Sequence, residues 1–164
     1  MDERPETVRE LFDGEYVAMV RLATLISGDV AAAEDVVQEA FARAIARWNR
    51  LRSYDNPGAW LRRVTIRLAV RDRARQRREL PGASDADHVA TTSEPPDPEL
   101  MDALRTLPRN QRAALALFYF EGLSTEEVAE VLGVRPGTAR SYLHRGRTAL
   151  ALRLSPTEVI ADER

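Results

Sequence analysis

Arginines are the residues of this sequence best suited to bind a ligand. All 24 basic residues are arginine, whose guanidinium group forms bidentate hydrogen bonds with phosphate and guanine. One group recurs at mostly helical spacing and comprises Arg62, Arg63, Arg67 and Arg71. A second group comprises Arg140, His144 and Arg147, with Ser141 and Arg145 beside them. Each group is predicted to lie along a helix and to contact the phosphates or bases of a nucleic acid.

The net charge of −2 conceals a strong segregation of charge along the chain. Residues 60–79 hold eight arginines and two acids, and residues 134–153 hold five arginines and no acid. By contrast, residues 1–39 hold ten acids and three arginines, and residues 80–104 hold six acids without lysine or arginine. Two basic segments separated by acidic ones predict two nucleic-acid contacts. Codon bias in a GC-rich genome is the simpler explanation for the lack of lysine itself.

Other chemistries find little support in the sequence. The chain has no cysteine, and its two histidines, His88 and His144, are far apart, so we expect no disulfide, thiol catalysis or zinc site. No glycine-rich phosphate loop, nucleophile motif or pair of catalytic carboxylates is present, so we expect neither an enzyme nor a cofactor. No apolar run approaches the length of a membrane span and the N-terminus is charged, which predicts a cytoplasmic protein without membrane insertion.

Glycine and proline divide the chain into helical segments, and the fold class is predicted to be all-α. Two small helical domains, the second a helix-turn-helix, are joined by an acidic, proline-rich linker. The predicted domains are residues 1–80 and 99–154, with the linker at 81–98 and a tail at 155–164. Helices are predicted at about 6–26, 29–51, 57–79, 97–106, 108–120, 124–132 and 136–152.

The helix-turn-helix is predicted from local signals in residues 124–150. Ser124 and Glu127 have the spacing of a capping box, and Gly133 suits the left-handed position that ends a helix. The following helix has an inner stripe of Ala139, Leu143, Gly146 and Leu150. Its opposite, basic face, which carries no acid, is what binding in a major groove requires.

Residues 107–150 resemble region 4 of extracytoplasmic-function (ECF) sigma factors, which reads the −35 promoter element. The shared residues include LPRNQR, GLSTEEVAEVLG and GTARSYLHRGR, and LuxR-type regulators share part of this pattern. The resemblance implies that Arg140, Ser141, His144 and Arg145 meet base edges or phosphates, and that Arg147 contacts phosphate.

Residues 28–48, GDVAAAEDVVQEAFARAIARW, resemble regions 2.1 and 2.2 of sigma factors. Asp35, Gln38 and Glu39 share a helix face by their spacing. The resemblance implies that these residues dock on a basic coiled coil of the polymerase β′ subunit. An ordinary acidic helix start remains an alternative for Asp35 alone.

Residues 56–78, NPGAWLRRVTIRLAVRDRARQRR, resemble regions 2.3 and 2.4, which melt and read the −10 element. The resemblance implies −10 contacts by Trp60, Arg62, Arg63, Arg67 and Arg71. From the residues alone, a tryptophan near a helix start is more typical of core packing. It also implies that the preceding loop, 51–58, captures an unstacked base through Tyr54, Asp55 and Asn56. Many relatives carry asparagine in place of Arg67 and an acid in place of Arg71, so the −10 preference of this protein is expected to be unusual.

The resemblance as a whole implies an ECF sigma factor whose partners are core RNA polymerase (its β′ and β subunits), promoter DNA and an anti-sigma factor. Two other classes remain open from the residues alone. A helix-turn-helix regulator that binds duplex DNA without polymerase would need a dimer interface or a receiver domain, for which residues 1–80 offer no heptads and no phosphoacceptor pattern. A module that only sequesters polymerase would not bind DNA in its presence.

Overall fold

The computed structural model describes residues 5–71 and 97–154, and the chain divides into two compact units, Met1–Glu94 and Pro95–Arg164. Every regular element in the described ranges is a helix, which confirms the all-α prediction. The division falls inside the segment predicted as the linker. Most of that segment, the predicted helical residues beyond Arg71, and the tail 155–164 lie outside the described residues. The last two predicted linker residues, Asp97 and Pro98, already form the N-cap and first position of a helix.

Unit 1 contains four described helices, of which the first, second and fourth pack against one another. These are α1 (Val8–Ser27), α2 (Val30–Ala46), α3 (Trp48–Leu51) and α4 (Pro57–Arg71). Their facing sides bury a core of aliphatic side chains and alanine, and its largest fully buried members include Leu11, Met19, Ile26, Val37, Leu51 and Leu61. Beside this core Phe12 stacks on Tyr16 and lies tilted against Phe41. Burial, and to a smaller extent the charge of Glu34, raises the pKa of the Tyr16 hydroxyl.

The turn between α1 and α2 follows from two adjacent residues. Gly28 ends α1 in the left-handed conformation (φ 79°), which glycine adopts without steric cost. Asp29 then caps α2, because its carboxylate accepts a hydrogen bond from the Ala32 backbone N–H at 2.9 Å. The predicted N-cap is confirmed, and the tight turn lays α2 back against α1.

The prediction of a single helix from Asp29 to about Leu51 is wrong. The helix breaks at Arg47, whose φ of −115° and ψ of 12° lie outside the helical region. The Arg47 N–H donates a hydrogen bond to the carbonyl of Ala44 at 3.2 Å. This bond spans three residues where an α-helix spans four, so it tightens the last turn of α2. The buried stripe continues across the break from Ala44 to Leu51. The apolar pattern therefore gave no sign of the break.

Unit 2 contains α5 (Pro98–Arg105), α6 (Arg109–Tyr119), α7 (Thr125–Leu132) and α8 (Pro136–Leu154). The pair α7 and α8 forms the predicted helix-turn-helix, and α8 also packs against α5 and α6. Ser124 and Glu127 form the predicted capping box, with hydrogen bonds of 2.7 and 3.2 Å. Gly133 has the expected left-handed conformation, with a φ of 67°.

The inner stripe of α8 determines how closely this helix approaches α6. Ala139, Leu143 and Gly146 are buried and Leu150 is half-buried, as the sequence predicted. A Cβ atom on Gly146 would lie 2.8 Å from Cδ1 of Leu115, whose side chain is buried in α6. Glycine at this position allows the two helices to pack in contact, and this contact fixes the rotation of α8 about its own axis.

Replacing Ser124 with alanine is expected to lower the free energy of unfolding of unit 2 by about 1 kcal/mol, because the α7 N-terminus loses its side-chain cap. Hydrogen bonds from the backbone and side chain of Ser124 lower the pKa of Glu127. A depressed carboxylate pKa stabilises the folded state above the ordinary pKa of the group, and the effect is lost as pH falls through the folded pKa. Ser124→Ala keeps the backbone hydrogen bond, which is the larger cause of the lowered pKa, and removes only the side-chain one. The loss in Ser124→Ala should therefore be only slightly larger at neutral pH than in acid.

Hydrogen exchange of the α7 amides, corrected for the intrinsic exchange rate, measures this loss, and the α2 amides are an internal control. A loss that is larger in acid than at neutral pH would contradict the role assigned to the Glu127 carboxylate.

Candidate nucleic-acid interface

The outer face of α8 carries the predicted base-reading residues on the side opposite its buried stripe. Arg140, His144 and Arg145 are exposed, and Ser141 is half-buried. The helix contains no acidic residue over its whole length. Because Ala139, Leu143 and Gly146 face the core, rotation of the helix cannot hide the basic face. The structure thus brings the four residues together on one solvent-facing surface.

Arg140 has a partner within unit 2 that the sequence did not predict. Its Nη2 lies 3.6 Å from a carboxylate oxygen of Glu126 in the first turn of α7. Both side chains are about two-thirds exposed (69% and 66%). An exposed pair of this kind contributes about 1 kcal/mol or less. Glu126 can therefore orient the Arg140 guanidinium beside the first turn of α7. A stronger hydrogen-bond acceptor can still replace Glu126 as the partner of Arg140.

Arg147 makes contacts within unit 2 that the prediction of a phosphate contact did not include. Its Nε donates a hydrogen bond to the Tyr119 hydroxyl at 2.8 Å, and its guanidinium carbon lies 4.9 Å from the Phe118 ring centroid. The Tyr119 ring is 5.5 Å away. The remaining four N–H donors belong to the two terminal nitrogens. The run Leu-Phe-Tyr-Phe at the end of α6 was the available sequence signal for this aromatic support.

The arginine side chains of α4 point in two different directions. Arg63, Arg67 and Arg71 are exposed, and their four-residue spacing places them along one side of the helix. Arg62 is half-buried and turned towards α1, where its Nη2 lies 3.2 and 3.4 Å from the two carboxylate oxygens of Glu15. The four arginines therefore do not form one stripe along α4.

The loop predicted at 51–58 is shorter in the structure, since Leu51 belongs to α3 and residues 57 and 58 belong to α4. Tyr54 is half-buried and Asp55 is exposed. Asn56, predicted to contact a base edge, uses its side-chain oxygen to accept a hydrogen bond from the Ala59 N–H at 2.9 Å. It therefore caps the α4 N-terminus. Trp60, in the first turn of α4, is half-buried.

The predicted polymerase-docking residues Asp35, Gln38 and Glu39 are all exposed on α2. They lie on the side opposite the buried residues Ala33 and Val37. Glu39 also pairs with Arg43 one turn later, at 2.9 Å. Because both side chains of that pair are half-exposed, the carboxylate remains accessible to another donor.

Within the described ranges, no group of three or more His, Asp or Glu residues could hold a metal ion. No helix there is long and apolar enough to cross a membrane.

Family models match both units. The sigma-70 region 2 model matches residues 11–79, and the sigma-70 region 4 model matches residues 98–150. SigL of Mycobacterium tuberculosis, an ECF RNA polymerase sigma factor, is 33% identical over 90% of this chain and 88% of its own length. The chain belongs to the ECF group of the sigma-70 family.

Two further relatives support this assignment. The ECF sigma factor SigE of Mycolicibacterium smegmatis is 40% identical over 88% of this chain, and the match spans 59% of the length of SigE. The sigma factor RpoE of Bartonella quintana, solved in complex with the anti-sigma factor NepR, is 27% identical. Its superposition has a TM-score of 0.65 and covers 89% of this chain and 95% of RpoE.

The packing of Arg147 on Tyr119 predicts a uniform effect on DNA affinity. We expect Arg147→Ala to weaken holoenzyme binding to all promoters alike and to reduce the salt slope by about one. Tyr119→Phe should act in the same direction but less, because it loses the hydrogen bond and keeps the ring. By contrast, Arg140→Ala should cost roughly 1–3 kcal/mol and relax one −35 position.

Binding of holoenzyme to a panel of −35 variants at several salt concentrations distinguishes these effects. Equal shifts by Arg140→Ala and Arg147→Ala on every −35 sequence would remove the base-reading role of Arg140.

Proposed function

We propose that this protein is an initiation factor that joins core RNA polymerase, directs it to promoters through −35 and −10 elements, and helps to open the DNA. The observation that carries the proposal is the basic outer face of α8, held outwards by its buried stripe in a unit that matches sigma-70 region 4. A second unit that matches region 2 carries its own exposed arginines. The protein supplies binding energy and leaves the chemistry of RNA synthesis to polymerase.

Recognition of the −35 element is assigned to α8 in the major groove. Arg140 and Arg145 can form bidentate hydrogen bonds with guanine, and Ser141 and His144 can contact base edges or phosphates. Glu126 keeps Arg140 oriented before binding and is displaced when the guanidinium meets its base. Arg147, supported by Phe118 and Tyr119, directs its terminal nitrogens to a phosphate.

Opening of the −10 element is assigned to the loop before α4 and to the exposed side of α4. Unstacking a base costs a few kcal/mol, and stacking on an aromatic ring returns roughly 1–3 kcal/mol. Tyr54 and Trp60 offer such rings, and Asp55 offers hydrogen-bond acceptors. The exposed arginines Arg63, Arg67 and Arg71 are positioned to follow the phosphates of the separated strand.

Docking on polymerase is assigned to the exposed face of α2. Carboxylates of Asp35 and Glu39 suit charge-assisted hydrogen bonds to arginines of the β′ subunit, and Gln38 can donate or accept between them. Polymerase then holds both units close to their promoter elements, so that two weak contacts act together at a high effective concentration.

We also propose that this protein binds an anti-sigma factor and that it acts in the cytoplasm together with core polymerase. A related RpoE has been solved with its anti-sigma factor. This chain leaves several large apolar side chains exposed in the described ranges, among them Phe12, Val17, Tyr119 and Phe120. Exposed apolar side chains of this size are typical of protein interaction sites when they lie close together, as Tyr119 and Phe120 do at the end of α6.

Changing Asp35 and Glu39 together to arginine is expected to abolish binding to core polymerase, because two attractive charges become repulsive while the helical content stays the same. A control with Asp13→Arg and Asp102→Arg changes the net charge equally at exposed carboxylates outside α2. Fluorescence anisotropy of labelled protein titrated with core polymerase measures the affinity. Binding of the α2 variant with wild-type affinity would refute the assignment of the docking face.

A further inference from the structure

The start of α4 is held against α1 by an ion pair between residues 47 positions apart in the sequence. One terminal nitrogen of Arg62 lies 3.2 and 3.4 Å from the two carboxylate oxygens of Glu15. The Glu15 side chain is only 21% exposed, and that of Arg62 is 43% exposed. The local pair Asp102–Arg105 is much more open, at 76% and 52%. Partial desolvation makes the Glu15–Arg62 pair less screened than such surface pairs.

Gly58 shows how closely this carboxylate approaches the backbone of α4. A Cβ atom at Gly58 would lie 2.6 Å from Oε1 of Glu15 and 3.3 Å from Oδ1 of Asn56. At the first distance the Glu15 carboxylate would have to move, and the second is tighter than most contacts of a Cβ atom. The carboxylate of Glu15 therefore occupies the space that any other side chain at position 58 would need.

The same turn of α4 is the exit of the loop proposed to open the −10 element. Asn56 ends the loop and caps α4 through Ala59. The ion pair between Glu15 and Arg62 thus holds the capped turn against α1, and Gly58 permits the close approach. The position of α1 is itself set by the buried core. The conformation of Tyr54 and Asp55 depends on where this turn lies, since they are two residues and one residue before its cap, Asn56.

We propose that Glu15 is a positioning residue for −10 opening, which acts through Gly58 and Arg62 on the loop formed by residues 52–56. This inference rests on the proposed function of that loop. It assigns Arg62 to the anchor between α1 and α4 and leaves the phosphate contacts to Arg63, Arg67 and Arg71. Arg62 therefore influences promoter opening through Glu15, and its effect should vanish once Glu15 is neutral.

Holoenzymes carrying Glu15→Gln, Arg62→Gln and the double substitution test the inference. Each single variant is expected to slow open-complex formation on duplex promoter by roughly three- to tenfold. The double variant should be no slower than the singles, because all three remove the same interaction. Core binding and closed-complex affinity should stay at wild-type values, and a pre-melted −10 template should restore most of the lost transcription. Permanganate reactivity of unpaired thymines reports the opening.

Two further variants strengthen the test. Gly58→Ala should slow opening less than Glu15→Gln does, because the added Cβ forces the flexible Glu15 carboxylate to shift but leaves its charge in place. Asp13→Asn, at an exposed carboxylate two residues earlier on α1, should open like the wild type. A double-variant defect equal to the product of the singles would overturn the inference, since Arg62 would then contact DNA independently. Equal losses on duplex and pre-melted templates would overturn it too, because they would indicate a general structural role.

The benchmark for the loop itself is Tyr54→Ala with Asp55→Ala, which leaves the Asn56 cap in place. Normal opening by this benchmark would overturn the proposed −10 role of the loop, and the positioning role with it. Defective opening by the benchmark beside normal opening by Glu15→Gln would overturn only the positioning role of Glu15.

Discussion

Burial of one stripe of small and aliphatic side chains on each functional helix is the constraint on which the rest of the structure depends. On α2, Ala33, Val37, Ala40 and Ala44 are fully buried, and this fixes Asp35, Gln38 and Glu39 on the solvent side. On α8, the buried Ala139, Leu143 and Gly146 do the same for the basic face. Small residues bring the helix backbones close, so rotation of either helix would expose its apolar stripe or bury charge without a partner. Each recognition surface is thus defined by the packing behind it.

The arginines that the sequence predicted to contact promoter DNA differ in how their own neighbours hold them. Arg62 is anchored to Glu15, Arg140 pairs loosely with Glu126, and Arg147 rests on Phe118 and Tyr119. A planar guanidinium can stack on a ring and donate a hydrogen bond at the same time, which lysine cannot do. Side chains ordered before binding lose less conformational entropy when they meet DNA. The partially desolvated Glu15–Arg62 pair is less screened by solvent than the exposed Glu126–Arg140 pair, whose carboxylate is proposed to give way to a base or phosphate.

Features that depend on neighbouring residues in the sequence could be predicted from it, and features that depend on distant ones could not. The Asp29 cap, the Ser124–Glu127 box and the glycine turns follow from local backbone rules, as does the inner stripe of α8. The helix break at Arg47 was missed because Ala44 and Leu51 keep helical spacing across it. Asn56 was predicted to contact a base although its position before Pro57 also suits an N-cap. The contacts of Arg62 with Glu15 and of Arg147 with Tyr119 join residues far apart in sequence, so no periodicity reveals them.

This protein is proposed to read promoters only as part of an RNA polymerase holoenzyme. Run-off transcription with purified core polymerase on templates carrying randomised promoter sequence tests this proposal most directly, with DNA binding by the protein alone measured on the same templates. We expect that addition of the protein yields transcripts from templates that share one −35 element and one −10 element. We also expect that the protein alone shows no selection among those templates. Selective binding to the duplexes without polymerase, together with no promoter-specific transcripts in its presence, would contradict the account and favour a helix-turn-helix regulator.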